Sequence, residues 1–89
     1  MLFEWDENKR AINLAKHKLD LARGVDLFDG RAVVTYASPR GDEVRSVCVG
    51  LLGLNMVAVV WTKRDGGIRL ISLRRARHAE ERTYRARFG

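Results

Sequence analysis

Between Asn55 and Thr62 the chain reads NMVAVVWT, and as a strand this segment has no polar face. Met56, Ala58 and Val60 fall on one side and Val57, Val59 and Trp61 on the other, so both sides must be covered and the strand belongs in the centre of a sheet. Three further runs of strand character surround it: AVVTY from Ala32, VRSVCVGLL from Val44 and IRLISL from Ile68, each bounded by Gly, Pro, Asn or Asp. Four such runs in succession predict an antiparallel meander, with Asp65-Gly66-Gly67 supplying a turn of positive φ between the last two. In the run from Val44, the residues Val47, Val49 and Leu51 make an apolar face, while Ser46, Cys48 and Gly50 leave the other face small and partly polar.

Helical periodicity brackets these strands. Leu2 to Trp5 alternates apolar and polar residues and reads as a short strand, after which Asp6 is placed to cap a helix over about Glu7 to Lys16. Ala11, Ile12, Ala15 and Leu19 are expected on its inner side. Asp20 is a second N-cap candidate, and Leu21, Val25 and Phe28 recur at helical spacing before Asp29 and Gly30 end the segment. A last helix is expected from about Arg74, laying the small residues Ala76, Ala79, Thr83 and Ala86 on the sheet and displaying Arg75, His78, Arg82 and Arg85 on a basic arc. The expectation is one α+β domain over residues 1–89, in the order βααββββα: two N-terminal helices, a mainly antiparallel sheet of four to five strands, and a C-terminal helix.

Charge is informative through its placement. Up to Thr62 eight basic residues face eight acidic ones, whereas from Lys63 onward there are nine against three. A surplus gathered in one third of the chain makes a directional positive field suited to a polyanion, which puts nucleic acid first among partner classes. A solvated basic helix without a ligand is the plainer alternative, and an anionic membrane surface fits less well because the last helix lacks a broad apolar face. The single Cys48 excludes an internal disulfide, and two histidines, one thiol and no carboxylate cluster give no metal site, so no cofactor is expected. The opening MLFEWDENKR is acidic where a secretion signal is basic, and the apolar run from Val57 to Trp61 is too short to span a bilayer. A cytoplasmic protein with no membrane partner is the expectation.

The order of short motifs resembles the BrnT toxin family over nearly the whole chain. The resemblance rests on FEWDENKR with Asn13, Lys16-His17, Phe28-Asp29, the Gly50-Leu51-Leu52-Gly53 turn region, and the Val-Val-Trp-Thr-Lys-Arg segment ending at Arg64. It continues through Ile68-Arg69-Leu70-Ile71-Ser72 into Arg74, Arg75 and Ala76, then Glu80 and Tyr84. It implies a RelE-like ribonuclease fold, RNA cleavage that arrests growth, and a BrnA-like antitoxin with a ribbon-helix-helix domain, through which alone DNA would be contacted. Three positions depart from the family pattern: Lys18 stands where Gly is usual, Leu73 where Ala is usual, and Arg77-His78 where Thr and a basic residue are familiar.

RNA carries its own nucleophile, the 2′-hydroxyl, so a minimal nuclease needs only to hold the phosphate, stabilise its charge and move protons, without a metal. Arginine suits the middle task through its planar fork and permanent charge, which selects Arg64, Arg69 and Arg74. Arg69 is the sharpest of the three, because it is expected to share a sheet face with Ile71 and Leu73, a place for a charge only if that face opens on a cleft. The plain reading of each is general attraction to a polyanion. His17 has the intrinsic pKa for acid–base work, or simply ends a helix, and Lys16 beside it suits phosphate binding. Glu80 and Tyr84 are one helical turn apart; Glu80 serves as a base or, preferably, holds an arginine. Catalytic candidates are thus Lys16, His17, Arg64, Arg69, Arg74, Glu80 and Tyr84, and RNA-binding candidates Lys63, Arg75, His78, Arg82 and Arg85. Trp5 and Trp61 suit base stacking but are more commonly core residues. The alternative is a module that binds nucleic acid or an acidic antitoxin and has no enzymatic activity.

Overall fold

The computed structural model describes residues 1–89, and the strand with two apolar faces lies at its centre. The elements follow as β1 (Phe3–Glu4), α1 (Glu7–His17), a 3-10 helix (Leu21–Phe28), β2 (Val33–Ala37), β3 (Ser46–Leu52), β4 (Asn55–Arg64), β5 (Gly67–Arg75) and α2 (His78–Phe88). The sheet order is β1-β5-β4-β3-β2, with β1 parallel to β5 and all other pairs antiparallel. β4 is the middle strand, and Val57, Ala58 and Val59 are wholly buried. One face packs on α1 and the 3-10 helix through Leu21, Leu27, Cys48, Val57, Val59, Leu70 and Leu73; the other packs on α2 through Val34, Val47, Val49, Ala58 and Tyr84. The turn into β5 has positive φ at both Asp65 (45°) and Gly66 (80°), the two-residue geometry whose twist matches a hairpin.

The helices differ from expectation in which residues they bury. Asp6 caps α1, its side chain accepting from the amides of Asn8 and Lys9. Ala11, Ile12 and Ala15, expected inward, are exposed, and the one buried residue of α1 is Asn13. The reason lies in how α1 docks. Asn13 Nδ2 donates to the carbonyls of Leu19 and Leu73, both at 2.8 Å, and Asn13 Oδ1 accepts from the amide of Leu73 at 2.9 Å. Its amide therefore behaves as one more peptide group on the outer edge of β5, beyond Ile68 and Arg69 where β1 pairs. Lys18 ends α1 with φ of 60°, a left-handed conformation that Gly adopts without cost.

The segment after Asp20 is a 3-10 helix, with three residues per turn, so Leu21, Gly24 and Leu27 share the buried side in place of Leu21, Val25 and Phe28. A side chain on Gly24 would come within 2.9 Å of Val59 Cγ2, and one on Gly50 within 3.1 Å of Leu27 Cδ2. The small face of β3 is thus the seat of the 3-10 helix.

β5 carries a β-bulge. Val60 lies opposite Ser72 and Trp61 opposite Leu70, which leaves Ile71 as an extra residue. The alternation therefore changes phase. Leu73 joins Leu70 in the core under α1, while Arg69, opposite Thr62, and Arg74, opposite Ala58, both fall on the face that carries α2. Arg69 does not share a face with Leu73, and a helix from Arg74 does not form: β5 continues to Arg75 and α2 begins at His78. α2 buries Glu80 and Tyr84, and its small residues Ala79, Thr83 and Ala86 remain exposed, because the two larger side chains set its height above the sheet.

Replacing Asn13 with Ala strands the amide and carbonyl of Leu73. Urea unfolding is expected to show a loss of about 2–4 kcal/mol, the scale for two buried backbone groups left without partners. A loss below about 0.5 kcal/mol, the size of a neutral surface change, would mean that α1 docks by other contacts.

Candidate active site

Four parts of the chain meet around a cleft of about 540 Å³. The end of α1 contributes Lys16 and His17, the β2–β3 hairpin Tyr36, Ser38, Arg40 and Arg45, the stretch after the bulge Ser72 and Arg74, and the approach to α2 Arg77. The hairpin holds its shape by backbone pairing: Arg40 and Glu43 exchange bonds of 2.9 and 3.0 Å, and the Ser38 amide donates to the Arg45 carbonyl at 2.7 Å. Arg45 pairs with Glu43. Lys16, Arg40 and Arg77 have no carboxylate partner. The cleft therefore presents uncompensated positive charge from three separate elements.

Beneath it lies a buried network centred on Glu80. Arg74 donates to both carboxylate oxygens, Nη1 at 2.8 Å and Nη2 at 3.0 Å, and the side chains are only 14% and 6% exposed. The Arg77 amide donates to the same carboxylate at 2.7 Å, and the Tyr36 hydroxyl completes the set. Burial alone would push the Glu80 carboxyl up, but the Arg74 fork, the Arg77 amide and the Tyr36 hydroxyl outweigh it and hold the pKa at about 2. Burial, then the Glu80 carboxylate, raises the Tyr36 hydroxyl above its ordinary value, so its proton stays on the phenol. His17 moves the other way. Burial first, then the charges of Lys16 and Arg74, lower its pKa below the ordinary 6.5, so the imidazole is neutral at pH 7 and able to accept a proton.

Residues 5–80 match the family model described as ribonuclease toxin, BrnT, of type II toxin-antitoxin system. The chain belongs to the BrnT family. Every cleft residue lies inside the matched span, whereas Arg82, Tyr84 and Arg85 lie beyond it. A search of individual curated proteins finds no match. As a type II ribonuclease toxin, a family member has RNA as substrate and an antitoxin as partner. No helix of this chain is long and apolar enough to cross a membrane.

Within this BrnT domain the sequence candidates separate. Lys16, His17 and Arg74 line the cleft and Glu80 underlies it. Arg69 lies outside it, 3.3 Å from Glu4 of β1, and Arg64 borders a different depression beside Leu2 and Gly67. Tyr84 packs in the second core cluster with its ring 5.0 Å from that of Phe88, and makes no bond to Glu80. Lys63 borders a hollow with Val44 and Trp61; Arg75 donates to Asn55 Oδ1 at 3.0 Å; His78, Arg82 and Arg85 are exposed on α2. Trp61 packs edge-on against Phe28 at 5.5 Å, away from the cleft. No three His, Cys, Asp or Glu side chains gather as a metal cage. Tyr36, Arg40 and Arg45 escaped the sequence reading, and Arg77 entered it only as a departure from the family pattern. Arg40 and Arg45 were hidden because Asp42 and Glu43 cancel them in any regional charge count, although SPRGDEVR between two strands has the composition of an arginine-bearing hairpin tip.

Glu80 ionises more readily folded than unfolded, so as pH falls the unfolded chain takes up the proton first. The stability its carboxylate contributes is complete above the ordinary value of 4.5 and is lost as pH falls toward 2. Glu80→Gln is expected to lower unfolding free energy at pH 7 by about 3 kcal/mol, the low end for breaking a buried ion pair. The gap to wild type should close between pH 4.5 and pH 2 in urea melts. A gap independent of pH would show that Glu80 acts through packing alone.

Proposed function

We propose that the cleft cleaves RNA without a metal, using the substrate's own 2′-hydroxyl as nucleophile. The observation that carries this reading is the convergence of Lys16, His17, Arg40, Arg74 and Arg77 on one cleft from separate elements. Neutral His17 takes the proton of the 2′-hydroxyl; the 2′-oxygen forms a bond to phosphorus as the bond to the 5′-oxygen breaks, and the departing 5′-oxygen takes a proton from water. The products are a 2′,3′-cyclic phosphate and a 5′-hydroxyl. Negative charge grows on the phosphate oxygens along this path, and the cations of the cleft act on it there. Arg74 is the oriented member of the set. Glu80 fixes two of its nitrogens and so trades part of its charge for position, which makes Glu80 a positioning residue and leaves it no role as a base. Lys16, Arg40 and Arg77 supply the charge that the ion pair takes away. Arg64, Arg69 and Tyr84 have no part in this mechanism, and Lys63, Arg75, His78, Arg82 and Arg85 act, if on RNA, by attraction at a distance.

The same reading places the chain among RelE-like toxins, on the order of its elements around a mainly antiparallel sheet, and makes its antitoxin a BrnA-like ribbon-helix-helix protein in the cytoplasm. An acidic segment over the cleft is the simplest means of silencing it, because it competes with phosphate for the same unpaired cations.

Purified protein incubated with RNA in EDTA is expected to cleave at the rate seen without chelator, leaving 2′,3′-cyclic or 3′-phosphate ends resolved by mass spectrometry. Complete loss in EDTA with recovery in magnesium, or products bearing 5′-phosphate, would refute the mechanism.

A further inference from the structure

Beside the cleft runs a second depression of about 350 Å³, at the small end of ligand-pocket volumes, between α2 and the β2–β3 pair. Its walls are mostly apolar: Val34 and Val49 from the strands, Ala79 and Thr83 from α2. Tyr36, Arg77 and Glu80 line it as well, and Tyr36 and Arg77 also line the cleft. The unpaired cations of the cleft and the apolar groove are therefore neighbours that share Tyr36 and Arg77. The phenol is tied by its hydroxyl to Glu80, and Tyr36 is still 38% exposed, which leaves its ring as the part free to act. Thr83 already donates its hydroxyl to the Ala79 carbonyl at 3.0 Å, so this wall offers surface more than hydrogen-bond donors.

We propose that this groove is a nucleobase subsite: a base next to the phosphate held in the cleft lies over Tyr36, walled by Val34, Val49, Ala79 and Thr83. The proposal rests on RNA being the ligand of the cleft. A single-stranded chain alternates charged phosphates with flat apolar faces, and a basic cleft opening sideways onto an apolar hollow with an aromatic wall matches that alternation. Arg77, unpaired and common to both depressions, is placed to hold the phosphate between them. Stacking on a ring discriminates weakly among bases, so the subsite sets the register of the chain more than its sequence.

The test uses the full chain and a short RNA with 2′-O-methyl sugars throughout, so that nothing is cleaved, with affinity read by fluorescence anisotropy. Moving a single abasic position along the RNA should reveal one site at which affinity falls roughly 5- to 150-fold, the range for loss of one stacked base. In Tyr36→Ala the same abasic RNA should bind within about twofold of the intact RNA, since the stack is already gone. Tyr36→Phe, which keeps the ring, should restore most of the lost affinity. Ala79→Leu fills the groove from an exposed helix position and should erase the abasic effect with Tyr36 in place. The proposal is overturned if no abasic position costs more than about twofold, or if the abasic penalty persists undiminished in both Tyr36→Ala and Ala79→Leu. The second pattern is the one expected if the groove seats an antitoxin segment. Loss of cleavage in EDTA would sink the proposed mechanism and leave this binding result standing.

Discussion

The extra residue Ile71 in β5 decides on which side of the sheet every later side chain of that strand falls. Without it, strict alternation would put Leu73 on the face of α2 and Arg74 among the apolar side chains under the 3-10 helix. With it, Leu73 closes the first core and Arg74 emerges on the opposite face, where α2 presents Glu80. β1 pairs only with Ile68 and Arg69, so the outer edge of β5 beyond them is left to be completed, and Asn13 does so at Leu73 with its side-chain amide. Because His17 lies one turn beyond Asn13 on the same side of α1, the contact that pins the helix also brings the histidine to the cleft. The facing of Leu73 and Arg74 follows from this one local irregularity, and the placing of His17 from the edge contact of Asn13.

The ion pair of Arg74 and Glu80 shows how the fold spends stability on position. A carboxylate this deeply buried is costly, and its ionised state persists only because Arg74, Tyr36 and the Arg77 amide all bond to it. The same bonds connect β2, β5 and the start of α2, so the three elements that carry Tyr36, Arg74 and Arg77 are held by one charge. α2 owes little of its docking to apolar contact: Tyr84 is its one buried hydrophobic residue. The polar network is therefore both anchor of the helix and floor of the cleft.

Much of the fold was legible in the residues. The two apolar faces of Asn55 to Thr62 require a central strand, and Asp6, Asp20 and Asp65-Gly66 mark two helix starts and a hairpin turn that all form where expected. What could not be read was the bulge, since IRLISL alternates well enough as a plain strand, and with it the side on which Arg69 and Arg74 fall. The buried side of α1 departs from the apolar pattern because the helix docks through a polar residue, Asn13, against the rule that apolar residues mark the inner face. Of the residues that meet at the cleft, Lys16, His17, Arg74 and Glu80 are candidates on residue chemistry and family resemblance, while Tyr36, Arg40 and Arg77 depend on a hairpin and a helix entry whose spatial meeting no local pattern encodes.

The central claim is that Arg74 acts on the reacting phosphate and does more than attract RNA. Single-turnover cleavage by Arg74→Ala, compared with Arg23→Ala, tests it most directly. Arg23 is exposed on the 3-10 helix, on the far side of the sheet from the cleft. With folding verified by circular dichroism, the account predicts a fall of about a hundredfold or more for Arg74→Ala, the scale for one oriented donor of charge-assisted hydrogen bonds. Its RNA affinity should change only a few-fold, and Arg23→Ala should cleave as wild type. Equal, modest losses in the two variants would contradict the account, because the basic residues would then act only through their summed field.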